Sequence, residues 1–405
     1  MGEWKACLLG DIIELKRGYD LPKSKRKAGN IPIISSSGFS DTHIEAKVNG
    51  PGVITGRYGT IGTVYYVEEP YWPLNTTLYV RDFKGNDPRF VSYFLRGIDF
   101  MAYSDKAAVP GVNRNHLHQA QVLLPPLPEQ RAIASVLSAL DDKIDLNQRM
   151  NATLERQARA LFADWFVHFG PTRAKAANQP PYLPPKTWSL FPDRLDDKGV
   201  PEGWEEVQIK DFCLRVESGG TPSRKEAKYW ENGTVPWLTS GEVRKPIITR
   251  TDNFISNLGL EESSAKLWPP LSTVVAMYGA TAGQVTLLAC ETSANQACCA
   301  LVPKQHTKSF IFLKAKFSIQ LYESRARGSA QQNLNKTLVS NLETVAPAKS
   351  VLERFEEIAS PLIDKMIENE LESRTLAQTR DLLLPKLMSG EVRVREGEGV
   401  VEDMV

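Results

Sequence analysis

The sequence predicts an α+β fold, with two pseudo-repeated globular α/β domains separated by an antiparallel coiled coil of two long helices. Three observations lead to this prediction. The first half of the chain is repeated in the second half, each half contains short β-rich runs around a glycine loop, and each half ends in a long heptad pattern. Each copy of a repeat forms one structural unit. A chain of 405 residues also exceeds a single core and suggests two or three domains.

The repeat consists of several matched segments in the same order. Trp4 begins a stretch that ends at Gly18, and Trp204 begins the corresponding stretch, which ends at Gly219. The other matched segments are 57–67 (RYGTIGTVYYV) with 277–288 (MYGATAGQVTLL), and 133–165 with 355–387. A duplicated chain is a pseudo-dimer, so its natural ligand is itself repeated. A DNA duplex is the leading candidate.

The composition is that of an ordinary globular protein, with 42% hydrophobic and 24% charged residues and a net charge of +1. Residues 1–126 contain 15 basic and 12 acidic side chains, and residues 201–346 contain 16 and 14. These small positive balances do not indicate nucleic-acid binding by themselves. A DNA footprint would require that basic residues cluster on one face.

The cysteines and the apolar runs predict the compartment. Cys7, Cys213, Cys290, Cys298 and Cys299 form no CxxC pair, so we expect buried free thiols in a reducing cytosol. No apolar run approaches the roughly 18 residues of a membrane helix. The N-terminus has no basic segment followed by an apolar one. We therefore expect a soluble cytoplasmic protein.

The chain is predicted to consist of six consecutive regions. Proline-rich LLPPL ends the first domain, and a helix follows up to Gly170–Pro171. Residues 171–203 contain seven prolines, which indicates an extended linker. The predicted regions are a first globular domain 1–126, a first helical spacer 127–170, a linker 171–200, a second globular domain 201–346, a second helical spacer 347–392 whose helix ends at Gly390, and an acidic tail 393–405.

Each helical region has apolar residues at alternating steps of three and four, which is the a/d pattern of a coiled coil. The shared polar positions Asn147 and Asn369 are expected to fix the register of the two helices. The helices would pair antiparallel over roughly 50 Å. The alternative is that each helix lies on its own domain. The predicted seam residues are Ile133, Leu137, Leu140, Ile144, Asn147, Leu154, Leu161, Phe355, Leu362, Met366, Asn369, Leu376 and Leu383.

No motif in the sequence predicts a catalytic or metal site. The chain has no GxxxxGK[ST] phosphate loop, no GxGxxG after a strand and no Asp/Asn-Pro-Pro-aromatic run. His116 and His118 have the spacing of metal ligands, but no third ligand lies nearby, so a polar pair is the better interpretation. A dispersed carboxylate cluster of the nuclease type is the remaining alternative.

Three kinds of segment predict binding to DNA. The glycine loops allow close approach of the backbone, although a plain hairpin turn is equally compatible. Basic runs and hydroxyls after a strand are further candidates, although such runs usually form solvated faces and such hydroxyls often cap a turn. The candidate residues are Lys23, Lys25, Arg26, Ser36, Arg57, Tyr58, Gly59, Arg224, Lys225, Thr239, Ser240, Arg244, Tyr278 and Gly279.

This layout resembles the specificity subunit of a Type I restriction–modification system from Trp4 to about Val394. The second copy departs from the pattern because VAPAKSVLERF replaces the LPPLPEQ of the first, but we expect its helix to persist. The motifs that support the resemblance are GDIIELKRG, VITGRYGTIG, LLPPLPEQRAIASVLSALDDKID, ALFADWFVHFGP, SLFPDRLDDKGVPEGWEEVQI, SGGTPSR, VPWLTSGEV and LLLPKLMSGEV.

The resemblance implies two target recognition domains, each of which recognises one part of a split DNA sequence. It implies that the helical regions set the spacing between the two parts and dock two modification subunits that methylate adenine. Two restriction subunits would complete the complex. No cofactor is then expected in this chain, while S-adenosylmethionine, ATP and Mg²⁺ are expected on the partner subunits.

Two rival functions remain compatible with the sequence. A bivalent coiled-coil adaptor without DNA specificity would explain the repeat and the helices. A fused methyltransferase is disfavoured because the cofactor loop is missing. The salt dependence of DNA binding separates a DNA-binding protein from an adaptor, because phosphate contacts make affinity fall steeply with salt.

Overall fold

The structure is a computed structural model that describes residues 3–105, 111–328 and 333–394. It divides into two compact units. The first unit contains the described residues up to Asp145 together with those from Arg374 onward, and the second unit is Leu146–Ser373. Residues 395–405 of the predicted acidic tail lie outside the described residues.

The first unit is built mainly from short strands, as its β-branched and aromatic runs predict. Its strands are β1 (Lys5–Leu8), β2 (Glu14–Arg17), β3 (Ile31–Ser35), β4 (Gly38–His43), β5 (Gly52–Gly56), β6 (Val64–Val67), β7 (Trp72–Pro73), β8 (Thr77–Asp82), β9 (Ser104–Asp105), β10 (Gly111–Val112) and β11 (Gln121–Leu124).

The second unit contains a comparable series of strands. They are β12 (Glu205–Gln208), β13 (Cys213–Ser218), β14 (Val235–Leu238), β15 (Ile247–Ile248), β16 (Asn253–Ile255), β17 (Thr273–Ala276), β18 (Val285–Leu288), β19 (Ser293–Ala294), β20 (Cys298–Pro303) and β21 (Glu343–Ala346).

Two helices are far longer than the others in the described part of the chain. The helices are α1 (Leu9–Ile12), α2 (Pro88–Arg96), α3 (Arg114–Leu117), α4 (Leu127–Phe166), α5 (Gly170–Ala176), α6 (Pro185–Trp188), α7 (Asn257–Glu261), α8 (Lys308–Phe317), α9 (Ile319–Gly328), α10 (Lys336–Ser340) and α11 (Lys349–Ser389).

The sheets of the two units have the same topology, which confirms the repeat. The first unit has the strand order β2-β8-β5-β6, and the second has β13-β20-β17-β18 with β15 added at the edge. Each unit also has a three-stranded sheet, β4-β3-β7 in the first and β16-β14-β19 in the second. The strands β3 and β7 are parallel, and so are β14 and β19. In the first domain β1 pairs with β11, and in the second β12 pairs with β21. Each pair joins the beginning of its domain to the end.

The helices α4 and α11 pack together as an antiparallel pair. In the second unit the Asn151 amide donates to the backbone carbonyl of Met366 at 3.1 Å. The ring centroids of Phe162 and Phe355 are 6.1 Å apart. Residues later in α4 therefore pair with residues earlier in α11, so the two helices run in opposite directions. Every residue of the predicted seam is buried or half-buried in the structure.

The two predicted asparagines belong to a buried network of amides. Asn147 and Asn369 are each 1% exposed. The Asn147 amide donates to a carboxylate oxygen of Glu372 at 2.7 Å, and the Asn369 amide donates to Oδ1 of Asn151 at 2.9 Å. Because a shifted register would leave these buried amides without partners, the network favours one register.

Each helix also packs against the domain cores. The alternative that each helix lies on its own domain is therefore correct in part, because each helix contributes residues to the core of its own domain as well as to the other core. Ile133 and Leu137 of α4 belong to the core of the first unit, which also includes Leu387 at the end of α11. The core of the second unit combines Trp165 of α4 with Phe355 of α11. Each core is thus completed by segments of both helices.

The predicted linker 171–200 is not an extended chain. The helix α4 ends at Phe166, before the predicted Gly170–Pro171, and the linker contains α5 and α6. Phe191 lies in the core of the second unit with its ring 4.8 Å from that of Trp165. Prolines suit the first turn of a helix as well as an extended chain, and burial of Phe191 favours the packed form. The predicted end of α11 at Gly390 agrees with the structure.

The cysteines are free thiols, as predicted, although only some are fully buried. Cys213, Cys298 and Cys299 are buried, whereas Cys7 and Cys290 are half-buried. Burial raises the pKa of Cys213 to about 12, so this thiol stays protonated and unreactive at neutral pH.

A half-buried ionic cluster connects the helix α2 to the seam of the first unit. Asp141 accepts hydrogen bonds from Arg380 at 2.6 Å, from Tyr93 at 2.8 Å and from Arg96 at 3.2 Å. Burial raises the pKa of Asp141, but the hydrogen bonds from Arg380 and Tyr93 outweigh burial, so its pKa lies below the usual value.

We predict that Asp141→Ala lowers the free energy of unfolding by about 1–3 kcal/mol, because Arg380 and Tyr93 lose their acceptor. The matched variant Asp142→Ala should cost less than about 1 kcal/mol, because the Asp142 side chain is 67% exposed. Chemical denaturation measures both free energies, and equal losses would contradict the assignment. Because the pKa of Asp141 is lower in the folded state than in the unfolded state, its contribution to the free energy of unfolding is present above about pH 4. It is lost as the pH falls through the folded pKa.

Candidate functional site

In the first unit the structure brings the predicted residues Ser36, Arg57, Tyr58 and Gly59 together. Ser36 follows β3, and Arg57–Gly59 follow β5. A Cβ built on Gly59 would lie 3.5 Å from Oγ of Ser36. The Arg57 guanidinium lies over the Tyr58 ring, 4.5 Å from its centroid. These residues form one exposed surface that combines a cation, an aromatic ring, a hydroxyl and close backbone.

The second unit builds the same surface from Thr239, Ser240, Tyr278 and Gly279. The turn Ser240–Arg244 follows β14 and packs against the turn Gly279–Thr281, which follows β17. Tyr278 is 37% exposed and Tyr58 is 38% exposed. Gly279 and Gly59 have φ angles of +73° and +77°, which glycine adopts without strain. The two units therefore present a tyrosine in the same setting.

The hydroxyl of Thr239 has a structural role in this turn. It donates to a carboxylate oxygen of Glu242 at 2.8 Å, and the Thr239 backbone N–H donates to the same oxygen at 2.9 Å. The turn is thereby closed by the Glu242 side chain. Ser240 is half-buried in the turn and Arg244 is exposed at its end.

The basic run of the first unit lies against β4. Lys23 and Lys25 are exposed in a short turn, Lys23–Lys25. Arg26 pairs with Asp41 in the middle of β4 at 3.2 Å, and its side chain is only 12% exposed. The Arg26 guanidinium therefore holds this hairpin in place, while the two lysines are available to solvent.

Arg224 of the second unit lies beside two tryptophans. The Arg224 guanidinium lies 3.6 Å from the ring centroid of Trp230 and 5.1 Å from that of Trp237. Trp237 is buried and donates from its indole nitrogen to the carbonyl of Gly220 at 3.0 Å. Arg224 is thus an exposed cation held by aromatic faces, and Lys225 is exposed next to it.

Sequence reasoning missed the segment that joins the predicted loops. In the first unit the Thr76 carbonyl accepts from the Arg57 backbone N–H at 2.9 Å. The Thr76 hydroxyl accepts from the Ser36 backbone N–H at 3.3 Å. The preceding Asn75 amide donates to a carboxylate oxygen of Asp20. In the second unit the Thr221 hydroxyl donates to the carbonyl oxygen of Gln296. Polar residues between two apolar strands were the only signal in the sequence.

A second missed feature is an aromatic cluster in the first unit. Lys47 lies over the Trp72 ring at 4.8 Å, and Lys16 lies over the Tyr19 ring at 5.6 Å. The hydroxyls of Tyr19 and Tyr79 are 3.0 Å apart. This hydrogen bond, together with Lys16, lowers the pKa of Tyr19. The first unit thus presents further cations on aromatic faces.

The described residues offer no evident metal site, because no group of three or more His, Cys, Asp or Glu side chains among them could hold an ion. His118 has a structural role: its Nε2 accepts from the Leu15 backbone N–H at 3.0 Å. Burial and the nearby Arg114 lower the pKa of His118, so it is neutral at neutral pH and suited to this acceptor role. None of the helices in the described ranges is long and apolar enough to cross a membrane.

Comparison with known families gives one match that covers most of the chain. The model of the Type I restriction modification DNA specificity domain matches residues 1–156 and, a second time, residues 201–374. The two matched segments contain the two candidate surfaces, one in each.

Two curated relatives are specificity subunits. The chain is 28% identical over 299 residues to the Type I restriction enzyme MjaIX specificity subunit of Methanocaldococcus jannaschii, and the match covers 72% of this chain and 65% of the relative. It is 27% identical over 339 residues to the Type I restriction enzyme HindI specificity subunit of Haemophilus influenzae, with coverage of 72% and 73%. The chain thus spans slightly less than two thirds of the length of the first relative.

Among solved structures, the chain is similar to the S subunit of a Type I restriction–modification system from M. genitalium. The TM-score is 0.58 at 16% sequence identity, and the match covers 95% of this chain and 96% of the other. At this identity the similarity concerns the fold alone.

We predict that Gly279→Ala costs about 1 kcal/mol of unfolding free energy through backbone strain alone. The φ angle is +73°, and among the described residues no atom beyond the two chain neighbours lies within 4 Å of the added Cβ. Gly203→Ala is a matched control, because Gly203 has a φ of +80° and equally open surroundings. Thermal unfolding should give similar losses for both variants. A much larger loss at Gly279 would mean that the loop is packed more tightly than the structure indicates.

Proposed function

Because the chain belongs to the Type I restriction–modification DNA specificity family, we propose that it is a DNA sequence-recognition subunit without catalytic activity. It recognises a DNA target in two parts and directs adenine-N6 methylation or restriction by partner subunits. The observation that supports this most directly is the duplication of one exposed surface, made of the Tyr58 and Tyr278 loops and the turns beside them, within a family domain that is matched twice.

The chemistry of these surfaces suits a DNA duplex. Exposed lysines and guanidiniums neutralise phosphates, while hydroxyls, amides and backbone N–H groups donate to phosphates or base edges. Tyr58 and Tyr278 each supply a partly exposed aromatic face and a hydroxyl two residues after a strand. Because each unit carries its own surface, one chain can bind both parts of a split target.

The partners follow from the same proposal. Two modification subunits bring S-adenosylmethionine, and two restriction subunits bring the ATP- and Mg²⁺-dependent cleavage activity. The seam of α4 and α11 fixes the register on which the gap between the two DNA parts depends. In this proposal the protein acts on double-stranded DNA in the cytoplasm.

The experiment that tests the proposal is single-molecule sequencing of adenine methylation in cells that express this chain with its neighbouring modification subunit. We expect a methylated two-part motif with a fixed gap. Absence of new methylation, while the same modification subunit is active beside another specificity subunit, would contradict the proposal. An affinity for DNA that does not fall with salt would then favour the bivalent adaptor.

We predict that Tyr58→Ala weakens recognition of one half-site about tenfold and that Tyr278→Ala weakens the other. Each tyrosine lies on a different unit, so each loss is confined to one part of the target. Tyr182→Ala is the control, because Tyr182 is 53% exposed but lies outside both surfaces. Binding to duplexes with one scrambled half-site measures the effect. Equal losses at both half-sites would contradict the assignment.

A further inference from the structure

The two units place an amide side chain at the same point of the fold. In the first unit Leu74 N–H donates to the carbonyl of Ile34 at 2.8 Å, and in the second Asn295 N–H donates to the carbonyl of Leu238 at 3.0 Å. Because β3–β7 and β14–β19 have the same parallel pairing, Leu74 corresponds to Asn295. The next residues, Asn75 and Gln296, are therefore structural equivalents.

The partners of these amides are equivalent as well. Tyr19 N–H donates to the carbonyl of Pro73, and Gly220 N–H donates to the carbonyl of Ala294, both at 2.8 Å. The residue after each donor is Asp20 in the first unit and Thr221 in the second. The Asn75 amide donates to Asp20, and the Thr221 hydroxyl donates to Gln296. The same pair of positions thus forms a side-chain hydrogen bond in both units, with different chemistry.

A structural role alone does not account for these pairs well. Gln296 and Asp20 are exposed, and Asn75 and Thr221 are half-buried. A hydrogen bond between side chains that water can reach contributes little to stability, because water satisfies both groups in its absence. The backbone bonds of the same segments, from Tyr19 to Pro73 and from Gly220 to Ala294, already close the turns. The side-chain pairs instead hold an amide in a defined orientation at the surface.

The hydrogen-bonding capacity of each oriented amide matches adenine. A carboxylate only accepts, so Asn75 must give one N–H to Asp20, and its second N–H and Oδ1 can face a base. Gln296 accepts from Thr221 with one lone pair of its carbonyl oxygen. Its amide N–H groups and the second lone pair of that oxygen can therefore face a base. One acceptor beside one donor is the pattern that pairs with N6 and N7 of adenine in the major groove.

We propose that Asn75 and Gln296 are the corresponding base-recognition residues of the two units, each contacting one adenine of its half-site through both groups of its amide. Asp20 and Thr221 are positioning residues that orient these amides. The inference rests on the proposed function, because it concerns the same DNA-binding surface. Asp20 allows one amide orientation, whereas the Thr221 hydroxyl can donate or accept. The second unit therefore discriminates adenine less sharply than the first.

The test is selection of bound duplexes from a random pool by the full chain assembled with its modification subunits. For Asn75→Ala we expect the preference for adenine to fall about 5- to 150-fold at one position of one half-site. Gln296→Ala should do the same in the other half-site. The controls are Asn49→Ala and Gln157→Ala, which remove exposed amides elsewhere in the same units and should leave the selected motif unchanged.

Two conservative variants separate recognition from folding. Gln296→Glu keeps the acceptor for Thr221 but removes the N–H donors, so the adenine preference should be lost in a chain that folds. Asp20→Asn keeps the shape of the pair but lets the Asn75 amide turn over. We expect Asp20→Asn to broaden base preference at the Asn75 position while total DNA affinity changes less than twofold. Thr221→Ser, which retains the hydroxyl, should leave the motif as in the wild type.

The outcomes distinguish this inference from the proposed function. If the wild-type assembly selects no two-part motif, the proposed function fails. If the wild type selects such a motif but Asn75→Ala and Gln296→Glu select the same bases with the same strength, the inference fails and the proposed function stands. The half-site that each variant leaves untouched reports that the chain is folded. Loss of both half-sites in Gln296→Glu would also overturn the assignment to one unit.

Discussion

Burial of the seam between α4 and α11 is the interaction on which the rest of the structure depends. Each unit completes its core with segments of both helices, through Leu137 and Leu387 in the first unit and Trp165 and Phe355 in the second. Short sheets of two to five strands have limited apolar area of their own. The helical segments supply the missing apolar surface, and the buried amides of the seam select one register for it.

Charged contacts then connect the helices that flank the sheets to the seam. In the first unit the α2 residues Tyr93 and Arg96 share Asp141 with Arg380 of α11. In the second unit Lys308 of α8 pairs with Asp364 at 2.7 Å. Burial lowers the pKa of Lys316, which lies 3.7 Å from Glu155. Such contacts favour one orientation of a domain on its helices, as a site that depends on geometry requires.

The two units keep one scaffold and vary the side chains that it carries. Strand order and the glycine-loop backbone are retained, and a tyrosine with the same exposure stands at positions 58 and 278. The side chains around it differ: Arg57 corresponds to buried Met277, and the amide pairs differ in charge. Under the proposed function, the retained groups suit contacts that every DNA half-site offers, such as phosphates, while the altered groups suit contacts that depend on the base.

The sequence by itself determined the repeat, the two long helices, the seam and the asparagines within it, because a heptad pattern and a duplication are local periodic signals. It also placed Ser36 and Tyr58 as candidates, and the tertiary structure brings them together. The roles of Arg26 and Thr239 were decided only by tertiary contacts with Asp41 and Glu242, which no spacing predicts. The same holds for the packing of the proline-rich linker around Phe191. The pair of Asn75 with Asp20 joins segments 55 residues apart. Only the pairing of strands distant in sequence determines which polar side chains face each other.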